Sequence, residues 1–67
     1  MRVKINLKNI REDKELTQKQ LAKKAGVSIF VITRIEQELY KEIYLSSILR
    51  LSKALNVSIY DLIEIEE

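Results

Sequence analysis

The spacing of apolar residues changes along this chain, from alternation to helical repeats and back to alternation, and the changes mark out its elements. Val3, Ile5 and Leu7 alternate with Arg2, Lys4 and Asn6, which predicts a short strand with one buried face. Leu7, Ile10 and Arg11 then repeat at i, i+3 and i+4, predicting a helix over about Leu7–Lys14 with Asn6 as its cap. Glu15 stands where a helix-ending glycine would be easiest, so it must accept an irregular backbone.

The stretch Leu16–Glu36, LTQKQLAKKAGVSIFVITRIE, contains a helix start, a stop and a second start. Thr17 and Gln20 have capping-box spacing, so a helix is expected from Gln18 to about Ala25 with Leu21, Ala22 and Ala25 facing inward. Gly26 supplies the left-handed residue that closes it, and Ser28 caps the next helix. On that helix Ile32, Ile35, Ser28 and Leu39 share one side, expected to be core. Phe30, Thr33, Arg34 and Gln37 form an outward stripe at i, i+3, i+4 and i+7, with Ile29 on the boundary.

Gln37 to Tyr44 has a poor helical pattern and reads as a charged loop with Ile43 and Leu39 turned in. A further helix is expected to begin near Ser46 or Ser47, bury Ile48, Leu51, Ser52 and Leu55, and end near Asn56. Ser58 and Asp61 open a last short helical turn. In the tail, Ile63 and Ile65 alternate with acids, so the two ends can pair as a ribbon with basic residues beside acidic ones. The expected fold is all-α, five helices in one domain over residues 1–67, with short N- and C-terminal strands that pair.

Length changes this picture in one respect. A chain of 67 residues buries only about 60% of its unfolded surface, so help from a partner subunit is expected. No apolar run approaches the roughly 18 residues of a membrane span, and no secretory leader is visible, so a cytoplasmic location without membrane contact is expected. With no cysteine and no histidine, the chain lacks the usual neutral-pH bases, nucleophiles and soft metal ligands, so neither an enzyme nor a cofactor or metal is expected. The net charge of +2 hides an asymmetry: residues 1–60 hold 12 bases against 6 acids, and the other four acids lie in the last seven residues. A basic body suits a polyanionic partner.

The stretch Leu16–Glu36, followed by LSSILRLSKALNVSIYDL, resembles the helix-turn-helix domains of the lambda/434 repressor and Cro family, also called the XRE family. The residues that carry the likeness are Thr17-Gln18, Leu21-Ala22, Ala25-Gly26-Val27-Ser28, Ile32, Ile35-Glu36 and Ala54-Leu55-Asn56-Val57, within about Ile10–Leu62. The resemblance implies a five-helix repressor-like DNA-binding domain whose helix-turn-helix unit is 17–37 and whose recognition helix, 28–37, enters the major groove. It implies that Gln18 contacts a phosphate, with Lys8, Lys19 and Lys41 as further phosphate candidates, each of which has simple solvation as its alternative. It places base reading on Ile29, Phe30, Thr33 and Arg34, flanked by Ser28 and Gln37. It also implies a partly buried ion pair between Arg11 and Glu36 that fixes geometry.

Two departures stand out. Positions 29 and 30, usually polar in the family, are Ile and Phe, so either the groove contact is methyl-rich or Phe30 packs against protein. The usual glycine after Glu36 is replaced at Glu38, and the usual loop proline is absent. The leading expectation is a sequence-specific transcriptional regulator, a repressor acting on double-stranded DNA as a homodimer. The alternative is a protein-interaction or antitoxin-like module that uses the apolar face around Phe30 for a protein partner.

Overall fold

Asn6 is the residue at which alternation gives way to helical spacing, and the chain changes direction there. The computed structural model describes residues 2–39 and 43–66. Its elements are β1 (Arg2–Ile5), α1 (Leu7–Asp13), α2 (Gln18–Ala25), α3 (Ile29–Glu36), α4 (Leu45–Leu55), α5 (Ile59–Leu62) and β2 (Ile63–Glu66). The Asn6 amide donates to the Leu62 carbonyl at 2.7 Å, so the first helix leaves from the point where the last one ends.

β1 and β2 pair antiparallel in the register Arg2↔Glu66, Val3↔Ile65, Lys4↔Glu64 and Ile5↔Ile63. The register follows from the alternation: it sets apolar residues opposite apolar ones and bases opposite acids, both favourable cross-strand pairings. Leu7, Leu21, Ile32, Ile35, Leu51, Leu55 and Leu62 are fully buried, drawing on all five helices. α2 packs on both α3 and α4, while α1 packs on α3.

Local chemistry sets the helix ends. Thr17 accepts from the Gln20 amide at 3.0 Å while the Gln20 side chain accepts from the Thr17 amide at 2.9 Å. Ser58 and Asp61 repeat this reciprocal cap at α5. Gly26 closes α2 with φ 69°, and an alanine there would carry the left-handed penalty of about 1–2 kcal/mol. Urea unfolding of Gly26→Ala is expected to report a loss of that size, and an unchanged midpoint would contradict it. Glu15, Glu38 and Asn56 also have positive φ, at 58°, 58° and 55°. Glu38 therefore adopts the left-handed conformation at the position where the resemblance leads one to expect a glycine.

Three expectations need correction. Asn6 occupies the cap position of α1 without capping it, because its side-chain oxygen accepts from Asn9 at 3.2 Å instead of from a helix amide. Ser28 is exposed and not core, because it is spent as the cap of α3. Leu39 is 67% exposed; α3 ends at Glu36 and the left-handed Glu38 turns the chain, so the helical phase does not extend that far. α4 begins at Leu45, beside Ser46 as expected, and follows Tyr44 with no side-chain cap. Ile43 packs against the core as expected.

Candidate nucleic-acid interface

α3 is eight residues long, too short to hold its own shape in water, so its environment must define it. Ser28 accepts from the Phe30 amide at 3.2 Å at one end. Ile32 and Ile35 anchor its inner side, at 0% and 1% exposure. The opposite side carries the stripe expected from periodicity. Phe30 is 69% exposed, Arg34 and Gln37 are exposed, and Thr33 is half-buried. Ile29 lies at the edge of the stripe, at 36% exposure.

The polar groups of the stripe differ in what they have left to offer. The Thr33 hydroxyl donates to the Phe30 carbonyl at 3.1 Å, so its proton is already used within the helix. Arg34 forms no ion pair among the described residues. Together the stripe combines a planar cation with an aromatic ring, a Thr methyl and an Ile side chain. That combination suits the edge of a base pair: guanine O6 and N7 for Arg34, thymine methyl for the apolar groups.

Behind α3 lies a buried ion pair. Arg11 Nε and Nη2 donate to Glu36 Oε2 and Oε1 at 2.7 and 2.9 Å, the two-pronged geometry that guanidinium allows. Arg11 Nη1 also donates to the Leu16 carbonyl at 2.8 Å, so one side chain joins α1, the following turn and α3. Burial pushes the Glu36 carboxyl upward and is the largest single influence on it. Hydrogen bonds from Arg11 and Gln18, with the charges of Arg11 and Lys8, outweigh burial and hold it below its ordinary value. The hydrogen bond to Glu36 raises Arg11 despite opposition from burial.

Gln18 is part of this arrangement, which sequence spacing did not reveal. Its Nε2 donates to Glu36 Oε1 at 3.0 Å. One amide hydrogen is thereby held by the protein and the other is left for an outside acceptor. Lys8, on α1, acts on the same carboxylate through its charge. Lys19, the next residue of α2, is exposed. Lys41 lies outside the described residues.

A second contact was equally hidden. Arg50, on α4, donates from Nη1 to the carbonyl of Gly26 at 3.1 Å, across 24 residues of sequence. No local signal points to it, since nothing in the α4 pattern specifies what an exposed arginine meets.

Among the described residues no cluster of three or more His, Cys, Asp or Glu is placed to hold a metal ion, and no helix is long and apolar enough to cross a membrane. A family model described as Cro/C1-type HTH DNA-binding domain matches residues 6–67. No curated protein matches the chain.

Proposed function

We propose that this chain, which belongs to the Cro/C1-type HTH DNA-binding domain family, is a sequence-specific transcriptional regulator that reads duplex DNA with α3. The observation that carries the reading is the exposed stripe Phe30, Thr33, Arg34 and Gln37 on a helix held rigidly from behind by Ile32, Ile35 and the Arg11–Glu36 pair. In this reading Arg34 takes a guanine bidentately, and Ile29, Phe30 and Thr33 meet thymine methyl groups. Ser28 and Gln37 flank the contact. Gln18, with Lys8 and Lys19, takes a backbone phosphate at the start of α2, where free amides and the helix dipole favour an anion. Lys41 is a further phosphate candidate.

Residues 1–67 act as one domain in the cytoplasm. Two copies bind as a homodimer, one α3 per half-site, with half-sites about 34 Å apart. Occupancy of the duplex excludes other proteins, so the regulator is a repressor. Enzymatic activity forms no part of this proposal.

The test is a titration on duplex recovered by selection from a random library. The selected sequence is expected to bind far more tightly than random duplex, with affinity falling steeply as salt rises because phosphate contacts release counterions. Arg34→Ala is expected to cost about 1–3 kcal/mol on the selected sequence and to relax preference at one base position. Equal affinity for selected and random duplex, with Arg34→Ala silent, would sink the proposal.

A second reading rests on Phe30, which is 69% exposed beside the part-exposed Ile29 and so offers apolar surface on α3. On the same fold, Phe30 and Ile29 form the contact of a protein-interaction module, such as an antitoxin-like partner. Such binding would change little with salt, whereas DNA binding cannot.

A further inference from the structure

We propose that Arg50 is a positioning residue for DNA reading: by pinning the Gly26 carbonyl it fixes the turn that aims α3. The inference rests on the DNA-binding function proposed above.

Only Gly26 and Val27 separate α2 from Ser28, the cap of α3. The Gly26 carbonyl belongs to the peptide plane between those two residues. Its orientation is set by ψ of Gly26 and φ of Val27, the torsions that govern the direction of α3 relative to α2. Glycine is the least restrained residue at such a hinge, since it lacks the Cβ that limits rotation. On the amide side the turn is closed by Gly26 and Val27 amides that both reach the Ala22 carbonyl, the latter at 3.1 Å. On the carbonyl side Arg50 Nη1 provides the hold at 3.1 Å.

Arg50 is well mounted for this. It lies on α4 between the buried Ile48 and Leu51, so its stem starts from a helix locked in the core, and α4 packs directly on α2. A cation at the C-terminal end of α2 also meets the negative end of that helix. Among the described residues Arg50 forms no ion pair that would draw the guanidinium away. Its Nη1 lies 3.6 Å from where a Gly26 Cβ would stand, so the guanidinium sits close over the turn.

The test uses the full chain with two duplexes, one selected by the wild-type chain and one of random sequence. Arg50→Met keeps the stem and removes the donors; Arg50→Lys keeps the charge and a donor. Arg50→Met is expected to bind the selected duplex about tenfold more weakly, the size of about one lost base contact. Affinity for random duplex should stay within about twofold and the salt slope should not change. Arg50→Lys is expected to recover part of the lost discrimination. Equal losses on both duplexes with a salt slope lower by about one would make Arg50 a phosphate contact and overturn the proposal. An unchanged preference would overturn it too. Should Arg50→Met fail to fold, as judged by circular dichroism, Arg50→Lys decides alone: a smaller loss confined to the selected duplex supports positioning, and any other pattern refutes it. A wild-type chain that prefers no duplex would instead remove the DNA-reading function, leaving the turn geometry as described.

Discussion

Replacing Glu36 by alanine is expected to destabilise the fold by about 3–5 kcal/mol, because it leaves a buried guanidinium without its counter-charge. The Arg11 and Glu36 side chains are 11% and 4% exposed, so water cannot take the place of the lost carboxylate. For a chain of this length the total stability is roughly 3–10 kcal/mol, so Glu36→Ala is expected to be substantially unfolded at room temperature. Urea denaturation checks this, and a loss below about 1 kcal/mol would mean the pair is solvated in solution. The double replacement Arg11→Met with Glu36→Leu removes both charges and is expected to recover most of the loss, the usual behaviour of a buried pair exchanged for apolar groups. Acid offers the same test without mutation. The Glu36 carboxyl is held below its ordinary value in the folded state, so its contribution is complete above the unfolded value. That contribution declines as pH falls and is gone once pH passes the lowered folded value.

Ile32→Ala is expected to cost about 2–5 kcal/mol, the range for truncating a large aliphatic side chain in a packed interior. Ile32 is fully buried, and within α3 only Ile35 shares that degree of burial. Half of the inner anchor of an eight-residue helix would be lost. Stability and DNA binding are expected to fall together in this variant, whereas Arg34→Ala should alter binding alone. Ile32→Val, which removes one methyl group, is expected to cost about 0.5–1.5 kcal/mol. Denaturation curves paired with binding titrations separate these outcomes, and a marginal effect of Ile32→Ala would show that α3 is not held as described.

What the sequence made legible was local. Thr17 with Gln20 and Ser58 with Asp61 are pairs three residues apart whose side chains can satisfy only the nearest helix amides, and both caps are present. Gly26 and Asn56 end helices for conformational reasons that travel with the residue. The terminal strands were legible because alternation and charge agreed on one register. Errors arose where two uses of one residue compete. Ser28 can lie on a buried face or cap a helix, and capping won. Leu39 has the right phase for the core, but the helix stops at Glu36, three residues earlier, and the chain turns at a left-handed Glu38 where no glycine announces it. The exposed stripe on α3 was placed by periodicity. What stands behind it was only half legible: the Arg11–Glu36 pair came through resemblance. The bonds from Gln18 to Glu36 and from Arg50 to Gly26 join residues 18 and 24 apart, which no periodic pattern encodes.

The ribbon has a further consequence for how the chain reaches this fold. β1 comes at the start of the described chain and β2 at its end, so β1 has no strand partner until residues 63–66 have been synthesised. The helices can collapse around Leu21, Ile32 and Leu51 earlier, from contacts of short and middle range. Closure of the ribbon is the contact of greatest sequence separation, but the packed helices have by then shortened the effective loop, so the last step orders only the two terminal strands. During translation Val3 and Ile5 therefore wait exposed on an unpaired edge, guarded by Arg2 and Lys4, charges of the kind that keep a lone strand from joining the wrong neighbour.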